Sequence, residues 1–240
     1  MNFANPLGWK RQAIAILLFG ISFGCVEAAV VTYLRPRFDA VRATFIPPGS
    51  RGDLFPMLSP QQVIAAGPDM VKLVGTEIAR EAATLIMLGA AAAVAGGNYR
   101  RWFAFFLLAF GVWDISYYAF LKVLIDWPKS LLTWDVLFLI PVPWSAPVLA
   151  PALVALTMVG TALVYLWRES NGNSIRLSLV HWLCTYGGAV LVLAAFTWDY
   201  RNVMAGGMPG PFHWPLFAAG EAVWVMTFLH SLSGESHRDA

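Results

Sequence analysis

Six stretches of this chain, at about residues 12–34, 70–96, 102–124, 147–167, 179–198 and 215–231, are apolar over roughly the 20 residues a helix needs to cross a bilayer. Lipid offers no hydrogen-bond partner to a peptide group, so a spanning segment must satisfy its own backbone. The alternation of a membrane barrel strand is missing from all six. The expected fold is therefore all-α: an integral membrane protein with six transmembrane helices in a single polytopic domain covering residues 1–240. Only 12% of residues are charged, against about a quarter in soluble domains, which fits lipid as the partner. The net charge of +2 supplies no basic face for nucleic acid, and no nucleic-acid partner is expected.

Lys10 and Arg11 flank the first apolar run as they would in a signal peptide. The run continues to Leu34, however, which is the length of a span rather than of a cleaved leader. Cys25 and Cys184 both fall in apolar segments without CxxC spacing, so neither a disulfide nor a cysteine metal site is expected.

The long connections predict a cap on one face. Ser59-Pro60-Gln61-Gln62 reads as a capping box with proline at the first helical position, stopped by Gly67-Pro68, and predicts a short interfacial helix. The proline- and tryptophan-rich stretch DWPKSLLTWDVLFLIPVPWSAPVLAP predicts a re-entrant or interfacial hairpin, which lipid tolerates only under protein cover. The opposite ends are short and basic, with Lys10, Arg11, Arg100, Arg101, Arg168, Arg176 and Arg238. By the density of positive charge in short loops, both termini are expected in the cytoplasm, in a bacterial-type inner (plasma) membrane. Two groups of tryptophans, Trp9, Trp102, Trp167 and Trp182 against Trp127, Trp134, Trp144, Trp198 and Trp214, are expected to mark the two interfaces.

Function is read from the charges inside the apolar runs. Glu27, Glu77, Glu81, Asp114 and Glu221 all fall at or outside the expected midplane, and only the first, second, third and sixth spans carry them. Intramembrane acids turn inward and pair or bind something, so these four spans are expected to form a carboxylate-lined core. Glu77 and Glu81, at i and i+4, share a helix face with Arg80 beside them.

The first reading is a metal site opening outward, with these five acids as oxygen ligands and His213 as a nitrogen ligand, able to support redox or hydrolytic chemistry. Arg80 would limit its charge, and Tyr117, three residues beyond Asp114, would line its mouth. The second reading makes the same acids proton carriers in a proton- or cation-coupled transporter or channel, with Arg80 and Lys122 nearby. Haem between His181 and His230, which fall near one face on the last two spans, is a third. The bland reading pairs Glu81 with Arg80, Asp114 with Lys122 and Glu77 with Lys72, in a structural subunit with membrane-protein partners. Five acids against one or two cations at that depth leave negative charge that a proton or a bound cation must neutralise.

Overall fold

The computed structural model describes residues 8–45, 57–173, 175 and 177–233; of the basic residues used above for orientation, Arg176 and Arg238 lie outside them. Among the described residues six helices are long and apolar enough to cross a membrane: α1 (Trp9–Phe45), α3 (Pro68–Gly96), α4 (Tyr99–Ile125), α5 (Leu149–Ser170), α6 (Leu179–Thr197) and α8 (Trp214–Ser233). Two short helices, α2 (Pro60–Ala65) and α7 (Tyr200–Met204), lie in the connections, and β1 (Trp134–Phe138) pairs antiparallel with β2 (Trp144–Pro147). The fold is an all-α membrane bundle. Ile14, Leu18, Ile86, Val94, Leu156 and Val190 are exposed around its outside, as a lipid-facing surface requires.

Helix ends follow local chemistry. Gln62 N–H donates to Ser59 Oγ at 3.3 Å and Ser59 N–H to Gln62 Oε1 at 2.8 Å, the expected reciprocal cap of α2. Gly67, at φ +102°, makes the turn from α2 into α3, where Pro68 takes a first-turn position. The first span departs from expectation, since α1 continues beyond Leu34 to Phe45. Asp39 holds that extension together with Arg35 four residues before it (3.9 Å) and Arg42 three after (2.7 Å).

Helix α4 is the hub, packed by α1, α3 and α5, whereas α8 packs chiefly on α6. The expected core of the first, second, third and sixth spans is thus corrected: the sixth, α8, stands across from the others. Small residues decide these neighbours. A Cβ on Gly24 of α1 would stand 2.8 Å from the Trp113 carbonyl oxygen of α4, and one on Gly111 of α4 only 2.6 Å from the Ala155 oxygen of α5. A Cβ on Gly188 would stand 2.8 Å from the Gly220 oxygen and one on Gly220 2.7 Å from the Gly188 oxygen, a close approach that seats α6 against α8. Acids say which face points inward; glycines say which helix it meets.

The proline-rich stretch folds back as the β1–β2 hairpin. Its Phe138 ring lies 6.4 Å from Phe110 and 6.3 Å from Trp113, rings near the middle of α4, so the hairpin tip is sunk among the helices. Trp144 lies tilted against Phe138 at 5.2 Å, and Trp127, 2% exposed, lies against Tyr118. Of the tryptophans expected at that interface, Trp127 is thus enclosed by protein just beyond the end of α4, and Trp144 is half-buried on the hairpin.

Candidate functional site

The charged cluster is built on α3. Arg80 Nε donates to Glu77 Oε2 at 2.8 Å, and its guanidinium also pairs with Glu27 of α1. Thr84, one turn further along α3, donates to Glu27 Oε2 at 3.4 Å. One guanidinium thus serves two buried carboxylates from two helices. Glu81, on the face it shares with Glu77, turns to the hairpin and accepts the Leu139 N–H at 2.8 Å. That bond satisfies a backbone donor at the hairpin tip that lipid would leave orphaned.

The ion pairs drawn from sequence are corrected accordingly. Arg80 bonds Glu27 and Glu77 instead of Glu81, and Glu77 has Arg80 instead of Lys72. Lys122 sits with Lys129 on Asp126, each ammonium 2.7 Å from a carboxylate oxygen, and gives nothing to Asp114. Those hydrogen bonds and charges hold exposed Asp126 down at about 2.

Asp135 joins the cluster from the connection between α4 and α5, carried inward by the hairpin to 6% exposure. Tyr118 of α4 donates to its Oδ2 at 2.9 Å. Burial pushes the carboxyl up to about 7, against the pull of the Tyr118 hydroxyl and the Val136 N–H. Asp135, Thr84 and Thr157 were not among the expected site residues. The legible signal was an acid inside the apolar strand WDVLF, which an exposed loop has no need of.

Two cavities flank this cluster. The first, about 350 Å³, reaches from Glu27, Glu81 and Thr84 past Asp114 to Glu221 on α8. Phe110, Trp113, Phe138 and Trp144 form a continuous run of ring contacts along its wall, with centroids 5.2–6.4 Å apart. The second, about 720 Å³, lies toward Arg35, Arg42 and α2. Glu81, Tyr117 and Asp135 border both and form the partition.

Within the first cavity two carboxylates keep a free oxygen. Asp114 is 9% exposed, and its Oδ2 has no hydrogen-bond partner. Glu221 accepts from Thr157 of α5 at 2.7 Å through Oε2, while its Oε1 is unpartnered. The indole N–H groups of Trp113 and Trp144, in the same lining, are unpartnered as well. Buried polar groups ordinarily have partners, and these four belong to residues that line one cavity.

The metal expectation finds no support here. Among the described residues no group of three or more His, Cys, Asp or Glu is placed to hold an ion. Arg80 occupies the position between Glu27 and Glu77 that a cation would need, and Glu81 is committed to a backbone N–H. His213, the expected nitrogen ligand, lies with its ring 4.3 Å from Trp198 and lines neither cavity. His181 and His230 do meet across α6 and α8, but through a direct 3.1 Å contact between Nε2 and Nδ1. Metal–imidazole bonds of about 2 Å each would hold those nitrogens about 4 Å apart, so the rings would have to part to admit an iron. No family model, curated protein or solved structure matches the chain.

Proposed function

We propose that the protein binds an amphipathic amine within the membrane and exchanges it for protons, as a proton-coupled carrier of lipophilic cations does. The observation that carries this reading is the pair of unpartnered carboxylate oxygens, on Asp114 and Glu221, in one aromatic cavity. Every other acid of the cluster already has a donor: Arg80 for Glu27 and Glu77, Leu139 for Glu81, Tyr118 for Asp135. An isolated carboxylate in an apolar site is neutralised by a proton or by a cation, so an ammonium and a proton compete for the same oxygens. The ring faces of Trp113, Trp144 and Trp224 add attraction for a cation, about 0.5–2 kcal/mol for a well-placed one. The volume of about 350 Å³ lies within the range of small-molecule sites.

The test is calorimetric titration of the detergent-purified protein with dodecylamine, dodecanol and dodecanoate, in two buffers of different ionisation enthalpy. The amine is expected to bind, to release protons, and to lose at least tenfold in affinity in an Asp114→Asn/Glu221→Gln variant. Equal binding of amine and alcohol, unchanged in the variant, would sink the reading. For orientation, we infer that both termini face the cytoplasm of a bacterial-type inner membrane, from the basic residues crowded at the α3–α4 and α5–α6 turns.

A further inference from the structure

We infer that the ligand reaches this cavity sideways from the lipid, through the seam between α4 and α6, and therefore carries a hydrocarbon chain. The inference rests on the reading of the cavity as an amine site and adds the route and the shape of the molecule.

Three seams of the bundle are closed by backbone approach, at Gly24 for α1 and α4, Gly111 for α4 and α5, and Gly188 with Gly220 for α6 and α8. Helix α6 packs chiefly on α8 and on β2, and much less closely on α4. Where α4 and α6 do meet, they meet through side chains near their N-terminal ends. The Tyr99 and Tyr186 hydroxyls share a hydrogen bond of 2.5 Å, and Phe103 lies 5.3 Å from Trp182 and 6.4 Å from Tyr186. This aromatic cluster bridges one end of the seam.

Further along, Phe106 and Phe110 of α4 face Ala189 and Leu193 of α6 across the cavity. All four line the cavity and are also reached from outside: Leu193 is 37% exposed, and the other three are half-buried. Residues that belong to both an internal wall and the outer surface mark an opening. Along this stretch its rim is apolar, with Thr185 and Tyr186 lining the cavity nearer the bridged end, and Val190 beside it on α6 is 62% exposed on the outer surface. A route past these four side chains offers a water-soluble ligand no polar partner, whereas a molecule already dissolved in the bilayer loses nothing by taking it.

The contents of the cavity set the orientation of the ligand. Its carboxylates with an unpartnered oxygen, Asp114 and Glu221, line the cavity along with the already partnered Glu27, Arg80, Glu81 and Asp135, and this stretch of the rim is phenylalanine, alanine and leucine. An ammonium head therefore lies inward with its chain directed out through the seam. About 350 Å³ corresponds to about a dozen water volumes of roughly 30 Å³. That is room for about a dozen non-hydrogen atoms at roughly the same volume each, so a head group and a short chain fit inside and a longer chain extends between α4 and α6.

The experiment compares two amines on one variant. Ala189→Phe places a ring in the seam without replacing Asp114, Glu221 or any ring of the aromatic wall. Association of dodecylamine and of butylamine, at matched occupancy, is followed by stopped-flow tryptophan fluorescence in lipid nanodiscs. Dodecylamine is expected to associate at least tenfold more slowly with the variant, with butylamine unchanged, and Phe106→Ala is expected to speed dodecylamine. Unchanged butylamine binding shows that the variant is folded; should Ala189→Phe not fold, Leu193→Phe replaces it. Equal rates for both amines in wild type and variant, or equal slowing of both, overturns the lateral route while leaving the amine site standing. Failure of wild-type protein to bind either amine removes the site and the route together.

Discussion

A single guanidinium holds the charged cluster together. Arg80 is about a quarter exposed at its side chain, while those of Glu27 and Glu77 are 8% and 11% exposed, so the carboxylates are more deeply committed than the cation that serves them. Removing one partner of a buried pair strands the other, at a cost of about 3–5 kcal/mol, whereas removing all the charges can be nearly neutral. Arg80→Met is accordingly expected to lower the apparent melting temperature in detergent sharply. The Arg80→Met/Glu27→Gln/Glu77→Gln variant should recover most of the loss. Melting of Arg80→Met at the wild-type temperature would show that the two carboxylates do not depend on this cation. The sequence made Arg80 a partner for some carboxylate, since an intramembrane cation needs one. It could not say which, because a long side chain at i+3 from Glu77 and i−1 from Glu81 reaches in several directions, and Glu27 comes from another helix.

The hairpin is the element that turns a bundle of helices into a site. It roofs the first cavity with Phe138 and Trp144, supplies Asp135 to the partition, and is pinned at Leu139 by Glu81. Its seat is expected to respond to pH through Asp135, whose folded value near 7 lies above the ordinary 3.8. A folded state that holds a proton more tightly than the unfolded one loses relative stability as pH rises between those two values. The wild-type melting temperature should therefore fall from pH 4 to pH 7 more steeply than that of Asp135→Asn, which keeps an oxygen for Tyr118 and cannot ionise. Parallel pH profiles for the two proteins would remove Asp135 from the account. Span positions were legible because hydropathy and length suffice to mark a helix in lipid, and the α2 cap because its chemistry is local. The inward reach of the hairpin was not, since it depends on contacts between Phe138 and α4 that no local pattern contains. The partner of α8 was equally hidden: Glu221 marks an inward face, but it is the Gly188–Gly220 approach that assigns the helix to α6.

Six spans place the first and last helix ends on one side of the bilayer, and the two ends of the molecule differ in how they carry charge. At the end of the helix termini, Arg101 bonds Glu169 at 3.1 Å and Gln12 at 2.8 Å, tying α4 to α5 and α1, and Arg168 donates to the Leu232 oxygen of α8 at 3.1 Å. The connections there are short, since α4 begins three residues after α3 ends. The opposite end carries the hairpin, α2 and α7, with Lys122 and Lys129 gathered on Asp126. Cation totals at the two ends are close, so the orientation rests on density near short turns, the form in which positive charge resists translocation. Thiol labelling separates the two arrangements. In a Cys25→Ser/Cys184→Ser background, Ser130→Cys in the hairpin connection should react with a membrane-impermeant maleimide on intact cells. Asn171→Cys at the α5–α6 turn should react only after the cells are opened. The reverse pattern would invert the molecule, put the Asp114–Glu221 cavity in the inner half of the bilayer, and require any proton exchange there to run against cytoplasmic rather than external pH.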